Sequence, residues 1–405
     1  MKQRTILPAA LLLSVTLAAC GQSGSPTAHT SQVLTLTLQG NETPADLRAR
    51  YGGEIVAFKP QAHLAIVRTD RPQLQTLGLG SSSETNEGRV RAQAGAVIWT
   101  KAGAVIWTKA PAVIWTKAGA VIWTKATFEM MPENSGNWVS AGLDAAQTRL
   151  THLGSGVKVA VIDTGADTAL FAGSLAPQSE WRDWVDGDTL PDEPGTPADA
   201  GFGHGTGITS TILQMSPGAT ILPLRVLGTN GGGDVADVAA AIVYAADSGS
   251  QVINLSLGTS DPSPAIEAAI QYAESLNVLV VTSSGNDGAT QLDYPARGAQ
   301  GDPQRLAVGS VGLDGTVSAF SNTGAGLSVF APGEGIYSPA PQDYGVYWSG
   351  TSQSAAVVTG ALALGLGEQH GPAQTRAALL SSTASVPGQG AGRLNLAAYS
   401  ALLNP

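Results

Sequence analysis

Between residues 158 and 282 short apolar runs alternate with stretches of helical periodicity. Lys158–Ile162, Thr220–Val226, Gln251–Leu255 and Val278–Thr282 read as strands, and Ile208–Met215, Val235–Ala246 and Pro264–Leu276 as helices. Strands that stay apolar at successive positions are covered on both faces, and crossover helices between them require a parallel sheet with right-handed connections. This alternation excludes an all-β or all-α chain and predicts a doubly wound α/β sandwich of three layers around a mostly parallel sheet. In such folds chemistry gathers at the carboxyl ends of the strands. The ends here carry Asp163-Thr164-Gly165, Ser256-Leu257-Gly258 and Ser283-Ser284-Gly285-Asn286.

Two further stretches supply reactive groups. In Gly203-His204-Gly205-Thr206-Gly207 a histidine stands between glycines at a helix start, where it is not a packing residue. In Trp348-Ser349-Gly350-Thr351-Ser352 a tight step leads into a long segment rich in small apolar residues, which reads as a buried helix. Ser352 then falls in a first turn, where free N–H groups and the positive end of the dipole favour developing negative charge. Each signal has an ordinary reading as well. Thr351 or Ser352 could be a helix cap, Asp163 a turn acceptor, and Asn286 a turn residue. A serine hydroxyl becomes a nucleophile only when a base takes its proton and a third group holds that base.

Taken together, Asp163, His204, Asn286 and Ser352, each in its glycine-rich setting, occur in an order that resembles the subtilisin-like serine proteases. Tyr294-Pro295-Ala296, Phe320-Ser321-Asn322 and Phe330-Ala331-Pro332-Gly333 add to the resemblance, which runs from near Trp138 to the C-terminus. The resemblance implies that Ser352 attacks the scissile carbonyl, His204 takes its proton and Asp163 holds the imidazole. It implies an oxyanion hole made by Asn286 and the Ser352 N–H, and a substrate pocket walled by Ser256, Leu257, Gly258, Ser284 and Gly285. The chain departs from the family pattern at Gln353 for a methionine, Ala356 for a helix proline and Gly207 for a second histidine. Loss of the proline predicts a straighter nucleophile helix. No cofactor is needed for this chemistry. Family members often bind structural calcium, and Asp183, Asp186, Asp188 and Asp192 cluster, although such a run reads first as a solvated loop and no EF-hand spacing is present.

The N-terminal part is organised differently. Residues 1–20 have the shape of an export signal, with Lys2 and Arg4 before an apolar run too short to span a bilayer. Leu17-Ala18-Ala19-Cys20 resembles the lipobox of bacterial lipoproteins, which implies that Cys20, the single cysteine, carries a lipid anchor to the membrane. Residues 21–32 read as a tether, and 33–92 as a small α+β module of strand, helix, hairpin and a second short helix at 71–77. That module is similar in size and position to the family's inhibitory propeptide, and is small enough to need a partner surface. Within it His63 reads as a surface strand residue.

From Gly95 an eight-residue unit, Gly-Ala-Val-Ile-Trp-Thr-Lys-Ala, recurs four times, and only Pro111 breaks the identity. Its β-branched and aromatic residues favour short strands, so 94–125 reads either as a linker or as a strand added to an enzyme's cleft. Residues 127–405 form the large domain. The net charge of −10 without a basic stripe excludes non-specific nucleic-acid binding. The five histidines and one cysteine show no zinc spacing. The expectation is an exported serine endopeptidase acting on proteins or peptides, held to the cell envelope or released, and inhibited by its own propeptide until maturation near residues 126–135. The alternative is a weakly active surface lipoprotein whose tryptophan-rich repeats adhere or self-associate.

Overall fold

The computed structural model describes residues 31–40, 42–71, 81–86, 90–93, 96–100 and 131–405. Cys20, the proposed helix at 71–77, the last three repeat units and residues 126–130 lie outside the described residues.

Seven strands form the central sheet, in the spatial order Leu327–Pro332, Arg305–Val311, Leu279–Ser283, Val252–Leu255, Lys158–Asp163, Thr220–Arg225 and Arg182–Asp183. All six pairings are parallel. Alternation along each strand divides its side chains between two cores. Val159, Val161, Ile221, Val281 and Val308 face a core shared with helices His204–Met215 and Thr351–Gly367. Ala160, Ile162, Leu222, Ile253 and Val280 face a second core under helices Val235–Asp247 and Pro264–Ser275. Helices on both faces make the three-layer, doubly wound α/β architecture that the alternation in the sequence demands. Among the described residues no helix is long and apolar enough to cross a membrane.

The N-terminal module is a four-stranded antiparallel sheet in the order Glu54–Lys59, Leu64–Thr69, Gln32–Thr37, Ser81–Thr85, with helix Pro44–Tyr51 on one face. That helix starts on a capping box between Thr43 and Asp46. Leu34, Leu36, Ala65 and Val67 pack with Leu47 beneath it. The opposite residues, Val33, Ala57, Leu64 and Ile66, join the core of the two large-domain helices, so the module completes its burial on a partner surface. His63 is not in a strand. It adopts φ 52° at the end of a short turn, and its Nδ1 lies 3.1 Å from the Leu38 carbonyl oxygen.

Polar contacts fix the register between the two parts. Glu84 Oε1 accepts from the Ser263 hydroxyl (3.0 Å) and the Ala265 N–H (2.8 Å), at the N-terminus of helix Pro264–Ser275. Asn86 Oδ1 accepts from the Ala236 N–H (2.9 Å), and its carbonyl oxygen from the Val235 N–H (3.1 Å), at the start of the neighbouring helix. The module therefore supplies acceptors to two helix N-termini that would otherwise be left with free donors. Arg68 adds an ion pair to Asp237 at 2.7 Å. Replacing Glu84 or Asn86 by alanine should cost about 1 kcal/mol of end stability and speed amide exchange at Ala265 or Ala236 about fivefold in the full chain. Unchanged exchange at both amides would rule out this capping role.

Candidate active site

Asp163 ends its strand fully buried, with Oδ1 accepting the Thr164 N–H at 2.7 Å. Gly165 turns the chain at φ 112°, and a Cβ there would meet the Pro191 carbonyl oxygen at 2.5 Å. His204 opens its helix behind Gly203 in the left-handed region. At Gly205 a Cβ would lie 2.0 Å from the Gly165 carbonyl oxygen. Glycine at this point lets the helix start press directly on the turn after the strand. The contact sets His204 Nδ1 2.7 Å from Asp163 Oδ1, with both side chains excluded from solvent. The imidazole also stands edge-on to Trp348, at 5.6 Å between ring centroids and 86° between planes.

A third ionisable group stands behind this pair. The Glu193 carboxylate is buried and accepts from Thr164 Oγ1, from the Thr206 N–H (3.0 Å) and hydroxyl (2.5 Å), and from the Gly205 N–H (3.3 Å). Burial raises its pKa to about 7, against the opposing effect of its hydrogen bonds to Thr164 and Thr206. For His204, burial works to lower the pKa. The charge of Asp163, the hydrogen bond to it and the charge of Glu193 outweigh burial, so the net shift is upward.

Ser352 lies in the first turn of helix Thr351–Gly367, whose N-cap is Gly350 with no side-chain cap bond, so neither Thr351 nor Ser352 caps it. Ser352 Oγ lies 2.6 Å from the Gln93 carbonyl oxygen and 3.1 Å from that of Ser256. Asn286 Nδ2 donates to the same Gln93 oxygen at 2.6 Å. The orientation of this amide is fixed from the other side, because its Oδ1 accepts from the Thr351 N–H (2.9 Å) and hydroxyl (3.0 Å). The structure thus brings Asp163 to His204, and Ser352 and Asn286 to Gln93. It makes no hydrogen bond between His204 Nε2 and Ser352, since Nε2 has no partner among the described residues. Nor does the Ser352 N–H bond to the Gln93 oxygen, as the expected oxyanion hole required; that oxygen takes the Ser352 hydroxyl instead.

The segment carrying Gln93 sits in the cleft as a strand. Val90–Ala92 pairs antiparallel with Gly232–Gly233 on one side and with Leu257–Gly258 on the other. The Ala92 N–H donates to Gly231 (2.9 Å) and the Gln93 N–H to Ser256 (3.1 Å). The Gln93 side chain occupies the space a Cβ on Gly258 would take, 2.5 Å from its amide nitrogen, and donates to Asp293 Oδ2 at 3.1 Å. Ser256, Leu257 and Gly258 therefore line the seated segment. Ser284 and Gly285 act one step behind, since the Ser284 carbonyl accepts the Asp293 N–H and Gly285 leaves room for the Asp293 carboxylate. Of the segment near 126–135 expected to hold the maturation point, only 131–135 is described. Within it Asn134 is committed elsewhere, with its amide bonded to both the N–H and the C=O of Tyr337 at 2.7 Å.

Gln93, Asp293 and Glu193 carry the site together with the expected residues, and sequence reasoning missed all three. Asp293 directly precedes Tyr294-Pro295-Ala296, a signal that could have found it. Glu193 sits in a proline- and aspartate-rich loop with no local mark. The aspartates proposed to cluster are engaged in other ways: Asp183 and Asp186 pair with Arg225, and Asp192 accepts from Thr168. Asp188 caps the Leu190 N–H. No group of three or more His, Cys, Asp or Glu positioned for a metal occurs among the described residues.

The profile of the subtilase family, Peptidase S8, matches residues 154–398. Subtilisin Savinase of Lederbergia lenta is 37% identical over 236 residues, 55% of this chain and 82% of its own. Thermitase of Thermoactinomyces vulgaris is 35% identical over 265 residues, 62% of this chain and 89% of its own. The crystal structure of a cold-adapted subtilisin-like serine proteinase superposes with a TM-score of 0.52 at 31% identity, covering 60% of this chain and 89% of that one.

The departures from the family pattern have physical counterparts. A Cβ at Gly207 would meet Trp348 Nε1 at 2.7 Å and Ser338 Oγ at 3.0 Å, so Trp348 fills the space that a larger residue would need. With Ala356 in place of proline, the helix runs unbroken for 17 residues. Gln353 is fully buried, and neither its Oε1 nor its Nε2 has a hydrogen-bond partner among the described residues. An unpaired buried amide costs about 1–3 kcal/mol. Gln353→Met, of similar length without polar atoms, should therefore raise the thermal midpoint by several degrees. A lowered midpoint in calorimetry would show that the amide is satisfied in solution.

Proposed function

The chain belongs to the subtilase family of serine proteases, and on that premise we propose that it is an endopeptidase that first cuts its own chain between Gln93 and Ala94. The observation that carries this reading is the Gln93 carbonyl oxygen, held by the Asn286 amide while the Ser352 hydroxyl lies 2.6 Å from it. Ser352 Oγ bonds to the carbonyl carbon as its proton passes to His204 Nε2, which is buried and has no other partner among the described residues. Asp163, on Nδ1, fixes the tautomer that leaves Nε2 free to accept and then stabilises the imidazolium. Charge developing on the carbonyl oxygen is met by Asn286, pre-oriented by Thr351. The imidazolium returns its proton to the leaving Ala94 nitrogen, and water releases the acyl group by the same steps in reverse order.

Substrates would bind as Val90–Gln93 does, as a strand between Gly232–Gly233 and Leu257–Gly258, so the backbone supplies affinity and the pocket supplies selection. Gln93 against Asp293 favours, before the cut, a side chain that donates hydrogen bonds. The module 33–92 then acts as an intramolecular inhibitor, since its last residues fill that strand position. Export and lipidation at Cys20 belong to the same proposal. A cut after Gln93 leaves the anchor on the module and frees the large domain from it.

Purified full chain should give a mature polypeptide beginning at Ala94 and a separate fragment carrying any lipid, whereas Ser352→Ala should remain a single uncut chain. N-terminal sequencing and intact mass read both, and an uncut wild type that also fails to hydrolyse peptides would sink the proposal. The pH dependence follows from the His204 shift. As a base His204 must be neutral, so kcat/KM should rise as pH climbs through a value above the ordinary 6.5. Glu193→Gln removes one of the charges that hold that value up, so its acid limb should lie at lower pH than in the wild type. An unmoved limb would count against electrostatic coupling of Glu193 to the base.

A further inference from the structure

The strand Tyr344–Ser349 runs into Gly350 and the helix bearing Ser352. One edge pairs with Ile336–Ala340. The other pairs antiparallel with the first repeat unit, with Ala96 opposite Ser349, Ile98 opposite Tyr347 and Thr100 opposite Gly345. Only Ala94 and Gly95 separate this strand from Gln93. The repeat therefore lies on the side of the nucleophile where the downstream half of a substrate would run.

A strand edge recognises backbone and asks only that the incoming segment be extended and able to donate and accept. Ala-Val-Ile-Trp-Thr recurs without change at 104–108, 112–116 and 120–124. The edge has no means of telling the four units apart. Every unit can also reach it. The Asn134 amide holds Tyr337, which pairs with Tyr347, which pairs with Ile98. That places the chain at 134 about 15 Å from the repeat's position, three strand spacings away. The ten residues from Thr124 to Asn134 span up to about 33 Å when extended, so even the last unit reaches. Before the cut the first unit is held in place through Gln93, and after it nothing favours that unit over the others.

We propose that the edge of Tyr344–Ser349 is a binding subsite for the octapeptide unit. In the matured chain it is kept filled by any one of the four copies, in competition with the downstream part of a substrate. The inference rests on the cleavage proposed after Gln93. Tethering holds the copies at an effective concentration of order millimolar, so substrates long on that side are disfavoured and substrates short on that side are not.

The test uses adjacent proline pairs. Because donors alternate along a strand, replacing both Val97 and Ile98 removes whichever N–H faces the edge. One variant changes the first unit alone; the second also changes Val105 and Ile106, Val113 and Ile114, and Val121 and Ile122. Each matured protein is assayed on a chromogenic anilide ending in glutamine and on a peptide extending seven residues past the cut. The four-unit variant should cleave the long peptide about tenfold faster in kcat/KM with the anilide unchanged, and the one-unit variant should match wild type on both. An unchanged long-peptide rate in the four-unit variant, or equal acceleration of both substrates, overturns the subsite. A one-unit variant that behaves like the four-unit variant overturns the exchange of copies. Amide exchange of residues 344–349 in the matured proteins, which needs no added substrate, should quicken only in the four-unit variant; unaltered exchange there also overturns the subsite. Absence of anilide hydrolysis in every protein would instead indict the proposed function.

Discussion

A backbone contact that only glycine permits underlies the whole site. Gly205 brings the first turn of its helix against the carbonyl of Gly165, at a distance where any Cβ would collide. This contact, and not a side-chain preference, sets His204 on Asp163 with both side chains buried. Once there, both groups depend on each other, since an imidazole and a carboxylate buried without a partner would each be costly. The neighbouring Glu193 shows how far the arrangement extends. It collects the free N–H groups of the same helix start, and its own charge is part of what makes His204 a stronger base.

The cleft is built by the same logic of unsatisfied backbone. Gly232–Gly233 and Leu257–Gly258 form edges that complete their pairing only when a strand enters between them. Beyond Ser352, Tyr344–Ser349 offers another such edge. The chain fills all three with its own segments on either side of Gln93. The N-terminal module is held in the same way, giving carbonyl, amide and carboxylate oxygens to the Val235, Ala236 and Ala265 N–H groups at two helix N-termini. The docking of the module, the seating of Gln93 and the pairing of the first repeat unit thus share one device, the completion of open hydrogen-bonding positions by a segment of the same polypeptide.

The local sequence also explains where the site departs from its relatives. Gly207 and Trp348 are complementary, since the indole occupies the volume that the glycine leaves and stands perpendicular to the His204 ring. Gln353 has no such compensation among the described residues: it stands beside Ser352 in the closely packed core with no partner there for its amide.

The sequence by itself determined the layer architecture, because apolar runs at successive positions must be covered on two faces. It also singled out Asp163, His204, Asn286 and Ser352 as candidates, through an order and glycine-rich settings that resemble one family's pattern, although each residue alone has an ordinary turn or cap reading. The first three strands and the first helix of the N-terminal module were legible from local pattern, whereas its fourth strand, Ser81–Thr85, was not. Tertiary structure alone decided which carbonyl lies at Ser352, since Val90–Gln93 has no motif and is selected by two distant glycine-rich edges. It decided that His63 closes a turn, that Glu193 stands behind the Asp163–His204 pair, and that the first repeat unit lies along Tyr344–Ser349. These are pairings between segments far apart in the chain. Their register is set by shape and open backbone positions, which local composition does not encode.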